Sequence, residues 1–141
     1  MRVLVDTNII LDLLLEREPF MQNAELLFQK IAAGKVIGYV TATTLTDIFY
    51  IARRHTQSIE KARAAIAVTL QLLEICPVDR RVLELALASD TPDFEDAVQA
   101  ASAISQGLNA LITRDSDFPA ASIPVLSVRQ WLRQLESASE D

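Results

Sequence analysis

The sequence predicts an α/β protein, an α/β/α sandwich with helices on both faces of a central, mainly parallel sheet. Short aliphatic runs alternate with longer stretches of helical periodicity along the whole chain. Most of those runs are continuously apolar, as strands are when both faces of a sheet are covered. Residues that cap or stop helices fall between them.

Residues 2–5 form the first strand, which Asp6 ends, and residues 8–16 read as a helix that Asp6 or Thr7 can cap. After the break at Pro19, Ala24, Leu27, Phe28 and Ile31 recur at helical spacing until Gly34 stops the helix. Residues 36–40 are the second strand. Thr41, Thr43 and Thr44 are cap candidates for a helix reaching about His55. Ser58 caps the next helix, with an expected buried stripe of Ile59, Ala62, Ile66, Leu70 and Leu73. Residues 74–76 are a third strand closed by Pro77, and Asp79 caps a helix through Leu83, Ala86 and Leu87. Pro92 and Asp93 open a helix that runs to Gln106 and ends at Gly107. Residues 110–113 and 124–126 are the fourth and fifth strands. Residues 128–135 are the final helix, and residues 136–141 are expected to fray.

The chain has 141 residues, half of them hydrophobic. That length predicts a single domain over 1–141, and a chain of this size buries roughly 70% of its unfolded surface. The one cysteine, Cys76, excludes a disulfide scaffold, and with the one histidine, His55, makes a structural zinc site a poor expectation. No apolar run approaches the roughly 18 residues of a membrane span. Asp6 interrupts the N-terminal apolar stretch, so no leader is read there, and a cytoplasmic location is expected. The three glycines are too scattered for a phosphate-cradling loop, and three lysines leave few candidates for lysine chemistry. A net charge of −6 argues against holding nucleic acid by broad electrostatics, so any such role must rest on a local site.

The acids carry the chemical signal. Asp6 follows the first strand and Asp115 the fourth, so both belong at the carboxyl ends of a parallel sheet, where such sheets bind ligands. Each also has an ordinary use, Asp6 as a helix cap and Asp115 as a turn residue. Asp93, Glu95 and Asp96 open a helix, where acids suit the dipole. A helical projection gives that helix an apolar stripe of Phe94, Ala97, Val98, Ala101 and Ile104. Asp93 and Asp96 share a flank with Ala100 and Ala103, while Glu95 points away, near Gln99 and Ser102. Two carboxylates on a semi-apolar flank repel each other and lose hydration, and a bound cation offsets both costs. Asp47 lies early in the third helix, roughly opposite Leu45, Ile48, Phe49 and Ala52. His55 suits a helix end, Cys76 reads as a small buried hydrophobe, and Trp131 as core or interface. Converging carboxylates are the ligand set of Mg²⁺ or Mn²⁺, and such ions clamp a phosphodiester for in-line displacement. Arg114, Arg53 and Arg54 are candidate phosphate contacts.

At four segments the sequence resembles the PIN-domain nucleases, and the resemblance covers essentially the whole chain. The segments are Val3-Leu4-Val5-Asp6-Thr7-Asn8, Thr43-Thr44-Leu45-Thr46-Asp47-Ile48, Pro92-Asp93-Phe94-Glu95-Asp96-Ala97 and Thr113-Arg114-Asp115-Ser116-Asp117-Phe118. The resemblance implies a metal-dependent ribonuclease whose acids gather at one end of the sheet. By position, Asp6, Asp96 and Asp115 are its core acids. Asp47 stands where the family usually has Glu, which keeps the charge and shortens the reach. Asp93 is an alternative or additional metal ligand. Asn8 and Thr113 are polar groups that orient the carboxylates, and Asp117 is a rival to Asp115 that also stands beside the site. Small proteins of this kind look like the VapC-type toxins of toxin–antitoxin pairs, which implies an RNA substrate, a homodimer and an antitoxin partner. Two other expectations stay open. One is an aspartyl-phosphate hydrolase, for which Asn8 stands where a second aspartate is usual. The other is a PIN-like binding module without catalysis.

Overall fold

The computed structural model describes residues 1–115, 118 and 122–140. Among these residues a single sheet contains five strands: β1 (Arg2–Val5), β2 (Ile37–Thr41), β3 (Glu74–Cys76), β4 (Ala110–Ile112) and β5 (Val125–Leu126). They run parallel in the order β3-β2-β1-β4-β5. The helices are α1 (Thr7–Leu14), α2 (Met21–Ala32), α3 (Ala42–Thr56), α4 (Ile59–Leu72), α5 (Arg80–Ala88), α6 (Phe94–Ser105) and α7 (Val128–Glu140).

Alternation along β1 explains the layering, because successive side chains of a strand point to opposite faces. Val3 and Val5 join a core with Ile9, Leu27, Phe28, Ile48 and Trp131, contributed by α1, α2, α3 and α7. Leu4 points the other way, to Cys76, Ala103 and Leu111, and α5 packs on α6 through Val82, Ala86, Ala97 and Val98. The sheet is thus covered on both sides, as its apolar strands predict. Gly38 permits the closeness: a Cβ there would lie 2.6 Å from Leu73 Cδ2 and 2.7 Å from Ile31 Cδ1. Trp131 is fully buried, with its indole N–H directed at Met1 Sδ, 3.1 Å away. Among the described residues no helix is long and apolar enough to cross a membrane.

The buried face of α4 differs from the expected stripe. In α4, Ile59 and Leu70 are exposed, and Ala62 and Thr69 are the buried residues. In α5, Leu83 and Leu87 are exposed, while Val82 and Ala86 are buried. Small residues let the helices approach closely, and the bulky aliphatics fall outside that contact. Helix α7 continues to Glu140, past the expected end at residue 135.

The largest correction concerns α6. It packs against α5 on one side and the sheet on the other, so two faces are covered. Ala97 and Val98 serve the first contact and Ala103 the second. Phe94 and Ile104, placed in the apolar stripe by the projection, are exposed, whereas Gln99 and Ser102 are buried. The lower part of the flank that carries Glu95 therefore faces the protein, while Glu95 itself is exposed.

Candidate active site

Parallel pairing of β1 with β4 creates the site. Val5 lies opposite Ile112, so the next residues, Asp6 and Thr113, emerge side by side at the carboxyl ends. The backbone N–H of Asp6 still donates to Ile112 O, at 2.9 Å. Asp6 occupies the N-cap position of α1, but its carboxylate makes no capping bond. Instead Thr113 Oγ1 donates to Asp6 Oδ2 at 2.8 Å, and Gln99 Nε2 donates to Oδ1 at 3.1 Å. Asp6 is only 6% exposed, and these neutral donors fix its carboxylate's orientation without neutralising it. Thr113 Oγ1 also accepts from the backbone N–H of Asp115 at 3.0 Å, which ties the segment after β4 to Asp6.

Around Asp6 lies a pocket of about 360 Å³, lined by Thr7, Asn8, Asp47, Ile51, Asp93, Glu95, Asp96 and Asp115 as well. The sequence-predicted acids Asp6, Asp47, Asp93, Asp96 and Asp115 thus share one cavity. Asp93 has a second task there: it caps α6, accepting from the backbone N–H of Asp96 at 3.1 Å. Asn8 lines the rim. Asp117 lies outside the described residues.

None of the three arginines predicted as phosphate contacts lines the acidic pocket. Arg53 and Arg54 are exposed in the last turn of α3. Arg114 turns from the acids to Asp12, its Nε donating to Oδ2 at 2.7 Å. The pull is electrostatic: Asp12 is buried beneath it and needs counter-charge.

Three groups in the site were not singled out by sequence reasoning. Glu95 lines the pocket, because α6 presents that flank inward. Gln99, one helical turn further on, reaches Asp6. A chain of hydroxyls forms the third: Thr41 and Thr44 share a 2.7 Å hydrogen bond, and Thr7 Oγ1 lies 3.1 Å from Thr44 Oγ1 and 3.4 Å from Glu95 Oε1. The threonines at 41–44 carry the only sequence signal for it, and they read equally as caps; Thr41 occupies the cap position of α3 without a capping bond.

Crowded like charges leave a signature. Asp96 is held up to about 6, first by burial and then by Asp93, Asp6 and Asp115. Glu95 is raised as well, first by burial and then by Asp47 and Asp6. The cavity thus resists full ionisation unless cations enter it. Its donors are all oxygens, the set that Mg²⁺ and Mn²⁺ take. The carboxylates line the walls rather than meet: among the described residues no three His, Cys, Asp or Glu side chains close round one ion-sized point. The residues fit a hydrated divalent ion by donor chemistry, with waters completing the shell.

Comparison with known proteins agrees with this architecture. The family model described as "PIN domain" matches residues 2–117. Ribonuclease VapC1 of Aquifex aeolicus is 24% identical over 135 residues, covering 92% of each chain. The fold is similar to that of Mycobacterium tuberculosis VapC20, described as a sarcin-ricin loop cleaving toxin, with a TM-score of 0.69 and 21% identity, covering 86% of this chain and 95% of that one. It is also similar to a chain of a toxin–antitoxin complex from Klebsiella pneumoniae, with a TM-score of 0.67 and 23% identity, covering 89% and 97%. With the family model spanning most of its length and the same sandwich in its coordinates, the chain belongs to the PIN-domain family.

Proposed function

We propose that the protein is a metal-dependent ribonuclease that hydrolyses RNA phosphodiester bonds in the acidic cavity. The observation that carries this reading is the placement of Asp6. Both its oxygens are oriented by protein donors, and Asp47, Asp93, Glu95, Asp96 and Asp115 line the same pocket. The full-length likeness to a relative named as a ribonuclease supports the choice of RNA.

Asp6, Asp96 and Asp115 would hold the ion, in part through its waters, with Asp93 or Asp47 as further ligands. A bound Mg²⁺ or Mn²⁺ supplies Lewis acidity toward a phosphodiester oxygen and acidifies a water. The chain's own residues do the rest. Thr113 and Gln99 keep Asp6 in one orientation, so no reorganisation is needed when substrate arrives. Glu95, which lines the pocket outside the set assigned to the ion, is the group placed to accept a proton from the attacking water. Asp47 carries charge to the far wall from α3. The likeness to chains from toxin–antitoxin systems extends the proposal to a toxin that works as a homodimer and is silenced by a partner protein.

The test is cleavage of a single-stranded RNA by the purified protein with Mn²⁺. Asp6→Asn and Asp96→Asn are expected to lower kcat by at least about 100-fold while the proteins stay folded, since each removes a charge the ion requires. Chelation should abolish wild-type activity. Cleavage that survives both changes removes the mechanism. RNA left intact by a wild-type protein that Mn²⁺ does not stabilise favours the binding-module reading.

A further inference from the structure

Beside the acidic pocket lies a second cluster of opposite character. Asp12, on α1, is fully buried, and two arginines converge on it. Arg17 Nε donates to Asp12 Oδ1 at 2.9 Å. Arg114 donates from Nε to Oδ2 at 2.7 Å and from Nη2 to Oδ1 at 3.2 Å. The Asp12 side chain is 2% exposed, the arginines 30% and 34%. Arg114 Cζ also lies over the Phe20 ring, 3.8 Å from its centroid, a contact that restrains the guanidinium.

The cluster touches the acidic pocket at two points. Asn8 lines that pocket, and its backbone carbonyl and Oδ1 accept from Arg17 Nη2 at 3.0 and 3.3 Å. Arg114 directly precedes Asp115, which lines the pocket too. One carboxylate facing two guanidiniums leaves a surplus of one positive charge, next to a cavity of carboxylates in a chain of net −6. A structural tie between α1 and the segment after β4 needs only one arginine. The second makes the cluster cationic, and both arginines keep about a third of their side-chain surface exposed.

We propose that Arg17 and Arg114 form a phosphate-binding ledge that holds the RNA backbone beside the bond being cut, and that Asp12 is the positioning residue that holds both arginines. This inference rests on the RNA-cleaving reading above. A polyanion approaching an acidic cavity needs local positive charge, and preorganised guanidiniums bind phosphate at low ordering cost. A neighbouring cleft extends the ledge: Phe20, Asn23 and Arg114 line it, and Arg129 Nε donates to Asn23 Oδ1 at 2.8 Å.

The experiment measures binding of a fluorescein-labelled single-stranded RNA oligonucleotide by anisotropy in chelator, where metal-dependent cleavage is off, across a salt series. Arg17→Gln and Arg114→Gln should each weaken binding about tenfold. Each should also make the slope of log K against log salt shallower by about 0.7, the value for one single-strand phosphate contact. Asp12→Asn is the sharper variant. It makes the chain less negative, so general electrostatics predicts tighter RNA binding, whereas loss of positioning predicts weaker binding. The Mn²⁺-induced rise in Tm, which reports on the acidic pocket, should match wild type in all three. Should Asp12→Asn not fold, the two arginine variants decide alone. Unchanged affinity and salt slope in both overturn the ledge, as does a wild-type protein that does not bind the RNA. If binding falls as expected yet the wild type never cleaves RNA with Mn²⁺, the ledge stands and the catalytic reading fails.

Discussion

Asp96 shows how a single carboxyl senses the whole pocket. In the unfolded chain it loses its proton near 3.8, and in the folded, metal-free protein it keeps it to about 6. Between those values the unfolded state binds fewer protons, so stability falls as pH rises from about 4 to about 6 and then levels. Glu95 is shifted in the same direction and adds to the fall. Chemical denaturation of metal-free protein across this range should show the decline, and Asp96→Asn should flatten much of it. A decline of full size in Asp96→Asn would mean that the charge repulsion lies elsewhere. The residues that carry the resemblance were legible because local sequence marks them: Asp6 ends an apolar run, and Asp93 and Asp96 open a helix. Glu95, Gln99 and Asp12 were not. A glutamate in a first turn, a glutamine in mid-helix and an aspartate on α1 look solvated until tertiary neighbours are known.

Helix α6 illustrates the same limit for elements. Its limits at Phe94–Ser105 followed from Pro92, Asp93 and Gly107, which punctuate the chain locally. Its buried faces did not, because hydrophobicity alone finds the stripe against α5 and misses the polar flank that serves the site. The same cause misplaced part of the buried side of α4, where Thr69 packs inward and Ile59 and Leu70 remain outside. Asp93 joins element to site. Its side chain satisfies the N–H of Asp96, so Asp93→Ala should cost about 1 kcal/mol of stability. Asp93→Asn keeps an acceptor at that position and should restore most of that loss while lacking the charge. Thermal denaturation of the two variants separates capping from charge: equal losses in both would show that the cap contributes little.

At the scale of the molecule, strand pairing brings the acids together against their mutual repulsion, and folding of the apolar layers sustains that cost. A cation that enters the cavity should therefore stabilise the fold. At a Mn²⁺ concentration about 100 times its Kd, linkage gives about 2.7 kcal/mol, or roughly a 10 °C rise in Tm for a chain of this length. Protons compete for the same oxygens, so the rise should be larger at pH 8 than at pH 5, and scanning calorimetry at both pH values measures it. No rise at either pH would remove the metal from the proposal. The sandwich itself was readable from the chain, since apolar runs bounded by caps and breakers fix strands and helices locally. The neighbour relations β3-β2-β1-β4-β5 arise from pairing between distant segments, which no local pattern encodes.

The pairing of β1 with β4 also sets a clock on synthesis. Thr113 anchors Asp6 across 107 residues of sequence. At ribosomal speed that separation amounts to roughly 5–20 s during which the emerging chain carries its first acid without the partners that orient it. A nascent chain halted before Thr113 thus lacks the hydroxyl that orients Asp6, and the acidic pocket takes shape only after that distant segment has been made.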